Sequence, residues 1–227
     1  VADRKFVAIF DIDGTLFQTN KVLEASLEKT FELLRKEGEW NEATPLEMYK
    51  EIMGVPLPVV WETLLAGKAQ AIHKKADTLF LSFIIEEIRS GNGELYPGAV
   101  ELLKSLKAKN IPVFIASNGL EAYLKEIVDY FQLEKYLKDV YSIQRSITNS
   151  KVDLVQLLLK EYGIKSGVVI GDRASDIEAA TNNDLLSIGC TFGFGNETEL
   201  EGANYLINEL NEVNGILDGV IHRSYVK

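Results

Sequence analysis

One cysteine among 227 residues, Cys190, excludes an internal disulfide, and with two histidines there is no Cys/His cluster of zinc-binding spacing. That usage suits a reducing compartment. No apolar run is long enough to span a bilayer. The first residues lack the basic stretch, apolar stretch and small-residue cleavage site of a secretory leader, so the expected location is the cytoplasm. Positive charge is also short: 24 Lys and Arg against 34 Asp and Glu leave a net charge of −10. This argues against partners recruited by bulk electrostatics, nucleic acid or an anionic membrane. A phosphorylated ligand would likewise need a local cation or a metal rather than the overall field. Internal repeats and low-complexity tracts are lacking too.

What is present begins with Phe6-Val7-Ala8-Ile9-Phe10, five apolar residues running straight into Asp11-Ile12-Asp13-Gly14-Thr15. An unbroken run with aromatic and β-branched members reads as a strand buried on both faces, the kind found in parallel sheets covered by helices. Asp11 and Asp13 then stand at its carboxyl end, the ligand-binding edge of an open α/β sheet. In extended backbone they project to one side and Ile12 to the other. Two adjacent carboxylates repel, so one is protonated or a cation sits between them, and a hard divalent ion such as Mg2+ is the simplest cation. Gly14 permits a sharp turn. The plainer reading of the same residues is an Asp-rich turn after a strand.

From Val22 the period becomes helical, through Leu23, Leu27, Phe31 and Leu34 to a stop near Gly38. Residues 40–67, with prolines at 45, 56 and 58, read as short helices joined by turns. A long helical pattern covers 71–88, and no convincing strand lies between 20 and 94. Beyond Pro97 the pattern alternates. Helices are expected at 99–109, 120–131, 151–162, 174–183 and 209–217, and strands at 111–116, 139–143, 167–170, 185–189 and 204–207. Alternation of this kind implies parallel strands with right-handed crossovers. The expected fold is α/β, a Rossmann-like parallel sheet with helices on both faces formed by residues 1–17 and 95–227, plus a small all-α cap formed by 18–94.

Three further positions can meet the first acids, because parallel strands bring their carboxyl ends to one edge. Ser117 and Asn118 offer a hydroxyl and backbone N–H groups before a helix, suited to phosphate oxygens and equally to helix capping. Lys151 opens a helix, a position the macrodipole disfavours unless the amine serves an anion. Asp172 follows the apolar run Val168-Val169-Ile170, and Asp176 lies in the next helix's first turn, where capping alone would also favour an acid.

Asp11-Ile12-Asp13-Gly14-Thr15, Ser117, Lys151 and Gly171-Asp172…Asp176 resemble, in order, the four motifs of the haloacid dehalogenase superfamily. The match spans nearly the whole chain, and the sequence is most similar to the phosphoglycolate phosphatase-like phosphatases. Two stretches differ from the commoner family pattern, Phe17-Gln18-Thr19 and Ser117-Asn118-Gly119. The resemblance implies a Mg2+-dependent phosphatase of a small phosphorylated metabolite, acting through an aspartyl-phosphate. Asp11 would be the nucleophile and Asp13 the general acid and base. Asp11, Asp13 and Asp172 would hold Mg2+, Asp13 by its carbonyl. Ser117, Asn118 and Lys151 would bind the phosphate, and Asp176 would orient that shell or bind Lys151. Gly54, Leu57 and Trp61 of the cap are candidate substrate contacts. A nucleotidase, a pyrophosphatase, a phosphomutase and a non-catalytic phosphate-sensing module are the other readings. Either a monomer or a homodimer is compatible with the sequence.

Overall fold

The structure is a computed structural model and describes residues 6–225. The two ends of the expected sheet-forming segments, residues 1–5 and 226–227, lie outside the described residues.

Phe6–Phe10 forms strand β1. Its unbroken apolar character is explained by what covers it: Ala8 and Phe10 enter one buried cluster, Val7 and Ile9 another on the opposite face. After β1 the chain makes four helices in a row, α1 (Asn20–Lys36), α2 (Leu46–Glu51), α3 (Leu57–Leu64) and α4 (Gln70–Arg89). The alternating part then follows as α5 (Ala99–Ala108), β2 (Val113–Ser117), α6 (Glu121–Tyr130), β3 (Asp139–Ser142), α7 (Lys151–Tyr162) and β4 (Ser166–Gly171). It ends with α8 (Ala174–Thr181), β5 (Leu186–Cys190), β6 (Tyr205–Ile207) and α9 (Glu212–Tyr225).

The six strands form one sheet in the order β3-β2-β1-β4-β5-β6, every pairing parallel. β1 therefore has β2 on one side and β4 on the other, and the order reverses at its carboxyl end. That crevice is where open α/β sheets bind ligands. The register aligns the relevant ends: Phe10 pairs with Ile115 of β2 and with Ile170 of β4. Asp11 and Asp172 consequently leave neighbouring strands at nearly the same height.

Where sequence and structure differ, local chemistry gives the reason. The third strand is shorter than expected because residues 143–145 close into a single 3-10 turn, with the Ser142 hydroxyl accepting from Gln144 N. The last helix starts at Glu212 rather than Glu209, since the Glu212 carboxylate accepts from the N–H groups of Asn208 and Glu209 and holds those residues in a turn. It also runs past Leu217 to Tyr225. Among the described residues, no helix is long and apolar enough to cross a membrane.

α1 lies along α4, and α4 reaches α6 of the alternating part. Phe17 marks where the helical segment departs. Its backbone bridges to Leu95, and its ring packs on Tyr123 and Phe131. Chain exit and re-entry are thus pinned side by side.

Candidate active site

The turn after β1 is tied to the sheet by Asp11 N, which donates to Ile170 O at 2.9 Å. The N–H groups of Thr15, Leu16 and Phe17 all converge on the Ile12 carbonyl. This tight turn needs Gly14 at φ +74°, a left-handed conformation that costs a residue with a side chain. A Cβ on Gly14 would also stand 2.3 Å from Asp172 Oδ2. Ile12 is fully buried, while Asp11 and Asp13 turn toward the crevice.

The two acids meet different surroundings. Asp11 joins a buried cluster with Asp172 and Asp176, one carboxylate oxygen of each lying within 4.8 Å of the others. Lys151, almost fully buried, bridges two of them: its Nζ is 3.1 Å from Asp11 Oδ1 and 2.5 Å from Asp176 Oδ1. These are close ion pairs, yet neither oxygen receives a well-directed hydrogen bond. Burial alone would lower the Lys151 pKa; the two facing carboxylates outweigh it and hold the ammonium above its ordinary value. The amine expected to await an anion is thus already engaged by this chain's own acids.

Asp172 is gripped by Thr15 Oγ1, which donates to Oδ1 at 3.1 Å, and by Phe194 N, which donates to Oδ2 at 2.7 Å. Burial, and then the charges of Asp11 and Asp176, push its pKa up to about 8 despite those donors. Burial likewise raises Asp176, against the pull of Lys151. The other Asp176 oxygen accepts from Arg173 N at 3.0 Å, so this residue both caps α8 and pairs with Lys151. Three buried acids served by one ammonium leave an excess of negative charge. Their all-oxygen donor set and two weakly satisfied oxygens fit a hard divalent cation.

Asp13 stands apart. Its Oδ1 accepts from Thr19 Oγ1 and from Tyr123 OH, each at 2.5 Å. Burial, followed by the charge of Asp11, raises its pKa to about 6 against those two donors. It borders a cavity of about 60 Å³ between α2, α4 and the β2–α6 loop.

Ser117 ends β2 fully buried, and its Oγ accepts from Gly119 N at 3.1 Å. It does not cap α6, which begins four residues later behind Leu120. Asn118 Nδ2 donates to Gly54 O at 2.8 Å. Of the helical-segment candidates, Gly54 and Leu57 line the cavity and Trp61 does not. Trp61 is buried inside the helical segment, edge-on to Phe80, with its Nε1–H satisfied by Asp77 Oδ1 at 2.9 Å.

Sequence reasoning missed Thr19, Tyr123, the Phe194 N–H and a cradle of glycines. A Cβ on Gly171 would fall 2.0 Å from Asp176 Cγ, and one on Gly193 2.3 Å from Asp172 Cβ. Thr19 had a usable signal, lying six residues after Asp13 where the strand end gives way to α1.

Known proteins resemble this chain in sequence and in fold. A family model for haloacid dehalogenase-like hydrolases matches residues 7–184. A 5'-nucleotidase of Pseudomonas aeruginosa is 26% identical over 85% of this chain and 85% of its own length. A phosphoglycolate phosphatase of Vibrio parahaemolyticus is 24% identical over 93% and 95% of the two chains. The crystal structure of a predicted phosphatase from Clostridium acetobutylicum superposes with a TM-score of 0.78 at 26% identity, covering 94% of this chain and 99% of the other.

Proposed function

The chain belongs to the haloacid dehalogenase-like hydrolase family, and on that premise we propose that it is a Mg2+-dependent phosphatase of a small phosphomonoester. The observation that carries this is the division of labour between two acids from one strand end. Asp11 sits in a cation-hungry acidic cluster, whereas Asp13 is held by two hydroxyls at the mouth of a separate cavity.

In the first step an Asp11 carboxylate oxygen attacks phosphorus. The bond from phosphorus to the ester oxygen breaks, its electron pair leaves with that oxygen, and the Asp13 carboxyl supplies the proton. In the second, Asp13, now a carboxylate, takes a proton from water as the water oxygen attacks phosphorus. This returns the Asp11 carboxylate and releases inorganic phosphate. A pKa of about 6 lets Asp13 give a proton and take one back near neutrality. Mg2+, held by Asp11, Asp172 and the Asp13 carbonyl, would offset the charge shared by nucleophile and phosphate. Asp176 fixes Lys151 in place beside Asp11. Ser117, the Asn118 N–H and Lys151 would hold the transferring oxygens.

Helices α1–α4, within residues 18–94, would act as a cap that keeps bulk water from the site, residues 1–17 and 95–227 forming the core. The names of the relatives put phosphoglycolate, nucleotides and pyrophosphate on the panel of compounds to assay. We place the protein in the cytoplasm, as a monomer or homodimer.

The test is phosphate release from a panel of phosphometabolites, with and without Mg2+, run beside Asp11→Asn. Wild type should release phosphate only with the metal, and the variant should fall by about a thousandfold or more. A folded Asp11→Asn protein that keeps the wild-type rate would remove Asp11 as nucleophile.

A further inference from the structure

The cavity beside Asp13 is where an alcohol would depart, because Asp13 is the group that protonates the leaving oxygen. Its walls are aromatic on one part, from Tyr49, Phe80 and Tyr123, and aliphatic on another, from Leu57, Leu81 and Ile84. Among the residues lining it, the only charged one is Asp13, and it carries the wrong sign for an anion. Lys151 and Arg173 are not among its lining residues, and each is paired with acids of this chain. Lys151 is held between Asp11 and Asp176. Arg173, beside Gly54, donates its Nε–H to Glu199 Oε2 at 2.7 Å and another N–H to the Met53 carbonyl.

The Asn118 amide adds an acceptor to this wall. Asn118 Nδ2 must be the atom facing the Gly54 carbonyl, since that oxygen can only accept, which fixes the amide's orientation. Asn118 Oδ1 is then a buried acceptor without a donor. A carboxylate or a second phosphate in the cavity would find Asp13 as the only charged lining residue and no counter-charge, and would lose its hydration among apolar side chains.

We propose that the leaving group is uncharged: the substrate is a phosphomonoester of a small neutral alcohol with an apolar body, not an ester whose alcohol carries a second anionic group. The proposal rests on the phosphatase reading above and narrows it. Phosphoglycolate, whose alcohol bears a carboxylate, and pyrophosphate, whose leaving group is itself a phosphate, are set aside as preferred substrates. The small size of the cavity, about 60 Å³, favours a compact group.

The experiment compares pairs of esters of similar length, one member of each carrying an extra carboxylate charge. Phosphoglycolate is run against the phosphate ester of glycolamide, and carboxyethyl phosphate against propyl phosphate. The whole protein is assayed in Mg2+ by phosphate release, with Asp11→Asn as the blank. The neutral member should have the higher kcat/KM in both pairs, by about tenfold or more. An equal or faster charged member in either pair overturns the uncharged-alcohol proposal while leaving the phosphatase reading intact. If none of the four esters is hydrolysed beyond the Asp11→Asn blank and the wider metabolite panel is equally inert, the phosphatase reading fails and this proposal falls with it.

Discussion

Gly193 shows how closely backbone is pressed against the acids. A methyl group there would overlap the Asp172 side chain, whose Cβ would be 2.3 Å away. Asp172 has little room to yield, because Thr15 and Phe194 hold both of its oxygens. Gly193→Ala should therefore destabilise the protein by about 1–3 kcal/mol, the usual range for overpacking. It should also lower kcat by about tenfold or more, since the displaced carboxylate belongs to the acidic cluster. The same substitution at Gly215, inside α9 with nothing near the added methyl, should do the opposite. Removing a helical glycine there stabilises by about 0.5–1 kcal/mol. Thermal melts of the two variants check the pair; equal effects would mean that the contacts around Asp172 do not control its position.

At the scale of elements, the turn joining α2 to α3 is fastened to the sheet edge by two consecutive carbonyls. Met53 O accepts from Arg173 in the β4–α8 turn, and Gly54 O accepts from Asn118 in the β2–α6 turn. Arg173 is braced in turn by Glu199. Losing this fastening should loosen the turn without touching β4. Arg173→Ala should speed amide exchange at residues 52–55 and raise KM more than it lowers kcat; unchanged exchange there would show that the apolar contacts of α4 suffice. None of this could be read from the sequence, because Met53 and Arg173 are 120 residues apart and an arginine after a strand-end acid carries no mark of its partner. What was legible had a short-range cause. The β1 and β4 runs reveal themselves by unbroken apolar composition, and Asp11 and Asp172 by the abrupt change to charge that follows. Tyr123 is the contrary case. On α6 it occupies an ordinary helical core spacing with Leu124 and Ile127, and only the fold reveals that its hydroxyl is bonded to Asp13.

For the whole molecule the buried acids make stability depend on pH in an uncommon direction. The carboxyls of Asp172 and Asp13 are raised from 3.8 to about 8 and about 6, and Asp176 is raised as well. Between those limits the folded state binds protons that the unfolded state has already released. The slope of stability with pH is then negative, and stability falls as pH rises from about 4 through 8. A paired surface carboxylate acts oppositely, and the lowered Glu87, beside Lys29, contributes only near and below its ordinary pKa of 4.5. In chelator, the melting temperature should therefore be lower at pH 8 than at pH 6. A divalent cation needs the deprotonated acids and binds only the folded cluster, so added Mg2+ should recover more stability at pH 8 than at pH 6. Asp172→Asn removes the group with the highest of these pKa values. Without metal at pH 8 it should melt above wild type, by roughly 2–4 °C for each kcal/mol of strain relieved. The same variant should respond little to Mg2+. A wild-type melting temperature that is flat or rising from pH 6 to pH 8 in chelator would mean the cluster is compensated without protons or metal, with Lys151 alone sufficient to balance Asp11, Asp172 and Asp176.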